Sequence, residues 1–80
     1  MRILDETSGK SINNLVLLFK KTEAIQLIGY LEALVSDETN NEHYHLNNDD
    51  YSKEITIALY DTNTINNFSD RYKRLIIKDE

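Results

Sequence analysis

The hydrophobic positions of this chain change rhythm several times, and each rhythm predicts an element. The opening MRILDE sets Ile3 and Leu4 among polar residues and predicts a short strand, followed by a turn at TSGKS (7–11) around Gly9. In INNLVLLFKK the run from Leu15 to Phe19 is apolar throughout. Leu15, Leu17 and Phe19 would point one way and Val16 and Leu18 the other, which predicts a strand buried on both faces and central in a sheet, ending at Lys20 and Lys21. TEAIQLIGYLEALVSD then shifts to helical spacing. Ala24, Leu27, Ile28, Leu31, Leu34 and Val35 form one apolar stripe, with Thr22 as the predicted cap and Glu23 at the positive end. Gly29 inside this helix costs about 1 kcal/mol relative to Ala, which points to close contact with another backbone.

After the polar loop DETNNE the pattern changes to period two. HYHL (43–46) places Tyr44 and Leu46 on one face and His43 and His45 on the other. EITIALYD alternates Ile55, Ile57 and Leu59 against Thr56, Ala58 and Tyr60. The two segments, joined by NNDDYSK, predict a hairpin. In the tail, Ile65, Phe68, Tyr72, Leu75 and Ile76 are spaced for a helix over 65–76 capped by Asn63 or Thr64, although LII at 75–77 also reads as a short strand. The expected fold is α+β: an antiparallel sheet of about four strands in the order β-β-α-β-β-α, helices packed on it, in a single domain over residues 1–80.

Composition narrows the chemistry. The 80 residues contain no Cys and no Pro and only two Gly. Disulfides, thiolate metal sites and Cys nucleophiles are thereby excluded. Turns must rely on other residues, and eight of the nine Asn fall in pairs at 13–14, 40–41, 47–48 and 66–67. Asn suits turns because it tolerates the left-handed region. No apolar run is long enough to span a bilayer and no secretory signal is evident, so the expected location is cytoplasmic, without a membrane role. A formal charge of −5 argues against nucleic-acid binding and suits either a basic protein partner or, more commonly, solubility alone.

NEHYHLNNDDY (41–51) carries the densest candidate chemistry. On a strand His43 and His45 would share a side, roughly 6.6 Å apart along the chain, and two imidazoles so placed can tilt toward one Zn. A catalytic zinc needs a third protein ligand; the candidates are Asp49 first, then Glu42, Asp50 and Glu54. The plainer reading makes the histidines solvated cross-strand neighbours of Thr56 or Ala58, and a third makes them a pH-responsive pair beside carboxylates. Catalytic signatures are missing. SGKS (8–11) resembles the end of a phosphate-binding loop, but the first glycine of that motif would fall on Leu4. There is no G-x-S-x-G and no H-E-x-x-H. The expectation is a non-enzyme.

Charge is segregated along the chain. Asp37, Glu38, Glu42, Asp49, Asp50, Glu54 and Asp61 face a single cation, Lys53, across that stretch, whereas Arg71, Lys73, Arg74 and Lys78 follow without an acid up to position 78. The cations suit the last turns of a helix, or pairing with the acidic hairpin. The acidic stretch, fringed by tyrosines, is the expected partner-binding surface, Tyr44, Asp49, Asp50, Tyr51, Glu54 and Tyr60; the plainer reading is a solvated loop region with its tyrosines in the core. A zinc-binding domain built on His43, His45 and Asp49 is the alternative, and a homodimer sharing a sheet face, resting on the apolar central strand, is a third expectation.

HYH, then DYSKEITIALYD (50–61), then a helix carrying Phe68 and RYKRL (71–75), resembles the small single-domain immunity proteins of bacterial toxin systems in class and layout. That resemblance implies a protein that inactivates a cognate toxin, often a nuclease, by covering its active surface. No site residue is carried over from it.

Overall fold

The computed structural model describes residues 1–36 and 43–80. It is of mixed α and β class, with two helices and two separate two-stranded antiparallel sheets. The expected four-stranded sheet is therefore not formed, and the chain divides into two compact units, residues 18–60 and residues 1–17 with 61–80.

The unit over 18–60 is a helix on a hairpin. Helix α1, Lys21–Ser36, begins one residue before the expected cap Thr22. The Glu23 carboxylate accepts the Lys20 backbone N–H at 2.9 Å, the return half of a capping box, so Lys20 takes the capping position instead. At the other end the Ser36 hydroxyl donates to the Glu32 carbonyl at 2.9 Å, satisfying one of the last carbonyls. Strand β3, His43–Asn47, pairs antiparallel with β4, Glu54–Ala58, in the register His43↔Ala58, His45↔Thr56 and Asn47↔Glu54. The hairpin and its alternation over 43–58 follow the period-two pattern, with Leu46 buried and Tyr44, Ile55 and Ile57 half-buried, but Leu59, expected on the same face, lies past the end of β4 and is 46 % exposed. Helix α1 packs on β3, with Leu34 and Leu46 both 4 % exposed and the rings of Tyr30 and Tyr44 stacked at 5.1 Å. Burying each leucine contributes roughly 1.5–3 kcal/mol.

Two expectations about this helix need correction. The hairpin covers only part of the apolar stripe: Ile28, Leu31 and Val35 remain exposed. Nor, among the described residues, does any backbone approach Gly29, where an added Cβ would meet nothing within 4 Å.

In the other unit, β1, Leu4–Asp5, pairs with β2, Lys10–Ser11, around a turn in which Gly9 adopts φ 73°. Asp5 organises that turn by accepting the Thr7 N–H at 2.9 Å and the Ser8 hydroxyl at 3.0 Å. These bonds stabilise the ionised carboxylate and hold its pKa below the usual aspartate range, the Ser8 hydroxyl contributing most. The expected central strand at Leu15–Phe19 is not one. These residues have no regular structure and are exposed, because the N-terminal strand closes locally on Lys10 and Ser11 and leaves them no ladder to join. The second strand is instead Lys10–Ser11, which the sequence pattern placed in a turn.

The tail helix also begins later than expected. A single 3-10 turn spans Ile65–Asn67, and α2 covers Asp70–Lys78. Ser69 is the cap, its hydroxyl accepting the Tyr72 N–H, in place of Asn63 or Thr64. Thr64 is instead buried at 6 % exposure, its hydroxyl accepting the Asp61 N–H at 2.9 Å. Residues 75–77 are helical, and Leu75 and Ile76 are buried. Asp79 adopts the left-handed conformation at φ 57° and returns its N–H to the Leu75 carbonyl. The basic cluster complements the helix in part as expected, with Lys78 in its last turn. Arg71 instead clamps the Gly9 carbonyl at 2.7 Å and the Glu80 carbonyl at 2.6 Å. Arg2 donates to the Leu75 and Ile76 carbonyls at 3.0 and 3.1 Å, serving the helix C-terminus from the other end of the chain. Among the described residues no helix is long and apolar enough to cross a membrane.

Candidate partner-binding hairpin

The loop between β3 and β4 is built from its own hydrogen bonds. The Asn48 side chain accepts the Lys53 N–H at 3.0 Å and donates to the Ser52 hydroxyl at 3.0 Å. The Tyr51 N–H returns to the Asn48 carbonyl at 3.0 Å, closing a four-residue turn. Asp50 accepts the Ser52 N–H at 3.0 Å. Its carboxyl is held below the usual range, first by the Ser52 hydroxyl and then by that N–H. The result is a fixed connection rather than a slack one, and what it presents is unusual. Tyr51 stands at φ 58°, a conformation few bulky residues adopt, with 77 % of its surface exposed.

Asp49, Asp50 and Tyr51 thus lie together in the loop at the hairpin tip. The other expected members are dispersed. Tyr44 is half-buried and stacked on Tyr30, so it supports the unit more than it presents a ring. Glu54 belongs to the histidine face. Tyr60 lies past the end of β4 and is 41 % exposed. Asp49 pairs with Lys20 at 3.6 Å across two highly exposed side chains, a contact worth little in water.

No family model, curated protein or solved structure matches the chain. Its chemistry must be read from its own side chains.

The two histidines sit where the plainer expectation put them, opposite Ala58 and Thr56. Their ring centroids are 5.0 Å apart, edge to face. Nδ1 of His45 lies 2.7 Å from the Glu54 carboxylate and 2.8 Å from the Thr56 hydroxyl. A proton on Nδ1 directed to Glu54 leaves Nε2 as the ring's acceptor. The carboxylate beside the histidines is therefore Glu54, whereas Asp49 belongs to the loop. Among the described residues no three His, Asp or Glu side chains are grouped to hold a metal ion, and Glu42, an expected candidate, lies outside them, as do Asp37 and Glu38.

Residues outside the expected set complete the surface. Gln26 and Tyr30 from α1, joined by a 3.0 Å hydrogen bond, line a shallow open concavity of about 330 Å³ with His45, Asn47, Asn48, Asp49 and Tyr51. Their i, i+4 spacing just beside the apolar stripe was the available signal. The concavity is rimmed by amide, imidazole, phenol and carboxylate groups. This suits polar side chains of a partner more than an apolar small molecule.

Proposed function

We propose that this chain is a small, acidic, non-enzymatic interaction module whose hairpin tip docks on a basic protein. One observation carries the reading: an aromatic ring held in a left-handed backbone conformation, exposed, between two carboxylates and a self-bonded loop. Strain of this kind persists where the surroundings impose it, and it clusters at binding sites. A rigid exposed tyrosine supplies contact area with little entropy loss, and Asp49 and Asp50 add the charge that steers a cationic surface. In keeping with the immunity-protein resemblance, the partner is a basic toxin whose active surface the hairpin covers in the cytoplasm. The test is capture from a lysate of the native cells by the immobilised chain. Asp49→Lys/Asp50→Lys and Tyr51→Ala are run in parallel, with the salt raised from about 0.15 M to about 1 M. A basic partner held by the wild type, released by salt, missing from both variants and inhibited when bound supports the reading. A partner retained by both variants overturns it.

A second reading has its own support in the 5.0 Å approach of His43 and His45, oriented by Glu54. It is a zinc-responsive strand pair completed by ligands from another molecule. It requires a zinc-dependent rise in Tm that His43→Ala/His45→Ala abolishes; equal Tm with and without zinc sinks it.

A further inference from the structure

Helix α1 has more apolar surface than its own hairpin covers. One side of the helix carries Tyr30 and Leu34 toward β3, and the neighbouring arc carries Ile28, Leu31 and Val35, with Ile25 at its margin, at 55, 45, 78 and 59 % exposure. These four residues expose on the order of 400 Å², and Leu18 and Phe19, which lead into the helix at 90 and 36 % exposure, bring the uncovered apolar surface to roughly 600 Å². That is the upper end of the largest patch an ordinary monomer carries. A standard interface takes about 800 Å² from each partner and is about 56–65 % apolar, so roughly 600 Å² matches the apolar part of one such face.

We infer that this face of α1 is the contact between two copies of the chain, packed as antiparallel α1 helices about a two-fold axis. The area argument fits any apolar partner; the charge layout selects a second copy. Lys20 and Lys21 lie at the positive end of α1, where cations are misplaced, and the last turn has no basic residue to complement its negative end. Lys20 is turned to Asp49 of its own hairpin, so reversing a second α1 against the first brings each Lys21 toward the other copy's last turn. Each helix then supplies what the other lacks. The 16-residue helix is about 24 Å long, enough for the whole arc from Ile25 to Val35 to meet its counterpart. The contact is isologous, so it closes at two copies and leaves both hairpin tips outside it. It uses a different surface from the proposed hairpin site and stands or falls separately.

The test is light scattering on the full chain from about 1 µM to about 1 mM, beside Ile28→Asp and Val35→Asp. The expected mass is twice 9.4 kDa at the upper concentrations. Each substitution is expected to weaken association at least about 30-fold, as loss of a central interface residue does. Both positions are exposed in the single chain, so circular dichroism of the variants should keep the α1 signal and show that they fold. A monomer at every concentration overturns the inference, whether the face then meets another segment of the chain, a different protein or a vesicle. A dimer unaffected by both variants also overturns it.

Discussion

Replacing Tyr51 isolates the backbone conformation from the ring. At φ 58° a side chain with a Cβ pays a steric penalty of roughly 1–2 kcal/mol, which glycine avoids. Against that, glycine gains about 0.4–1 kcal/mol of extra freedom in the unfolded chain. Tyr51→Ala and Tyr51→Gly both remove the ring, so whatever its partly buried edge contributes cancels between them. What remains favours glycine by about 0.5–1 kcal/mol, the reverse of the usual order at ordinary backbone angles. For a chain of 80 residues this is a gap of roughly 2–8 °C in Tm. Thermal and urea unfolding followed by circular dichroism, with equal urea slopes for the two variants, would measure it. Alanine equal to or more stable than glycine would refute the left-handed geometry. The argument for a strained, presented tyrosine would go with it.

Other perturbations test separate parts of the molecule. Gly29→Ala is expected to stabilise by about 0.5–1 kcal/mol, because the new methyl meets nothing within 4 Å; a loss of stability in urea unfolding would show a neighbour there after all. Ser69→Ala removes the α2 cap and should cost about 1 kcal/mol, with Ser69→Asp restoring most of it in the same assay. Asp5 and Asp50 have folded pKa values below their unfolded ones, so their stabilising contribution is present above the usual aspartate range and disappears as pH falls through the depressed values. Carboxyl-carbon NMR titration should find both midpoints below those of the unfolded chain, and midpoints at or above them would refute the loop hydrogen bonds. The Tyr72 hydroxyl donates to Glu6 at 2.9 Å, and this bond is the main reason its pKa is raised. The stabilisation is complete below an unstrained tyrosine's pKa and is lost as pH rises through the raised value. Ultraviolet titration should therefore move to lower pH in Glu6→Gln.

The hairpin and the first helix were legible because each satisfies its own pattern. Tyr44, Leu46, Ile55 and Ile57 alternate onto one face, and Leu27, Leu34 and Ala24 lie on a helical stripe, so local periodicity and packing agree. The histidine face followed from the same alternation. Leu15–Phe19 misled because an apolar run states that burial is favourable without stating what will cover it. The ladder it needed was taken by Lys10 and Ser11, through a turn that Asp5 and Gly9 determine. The tail helix was placed too early since Ile65 and Phe68 keep helical spacing across the break, whereas Ser69 offers the better cap. At the candidate site the loop acids and Tyr51 could be named from composition. The handedness of Tyr51 and the diversion of Glu54 to His45 could not, because both depend on hydrogen-bond partners several residues away.

The bonds from Arg2 to the Leu75 and Ile76 carbonyls, and from Arg71 to Gly9, impose an order of events on folding. They join residues more than 60 positions apart, so the first dozen residues acquire these contacts only after the last dozen have been made. At about 5–20 residues per second, the partners of these bonds are made roughly 3–15 s apart. The helix–hairpin unit of residues 18–60 depends on no bond of that span. The surface proposed to bind a partner lies wholly within residues 18–60 and draws on none of these long-range bonds.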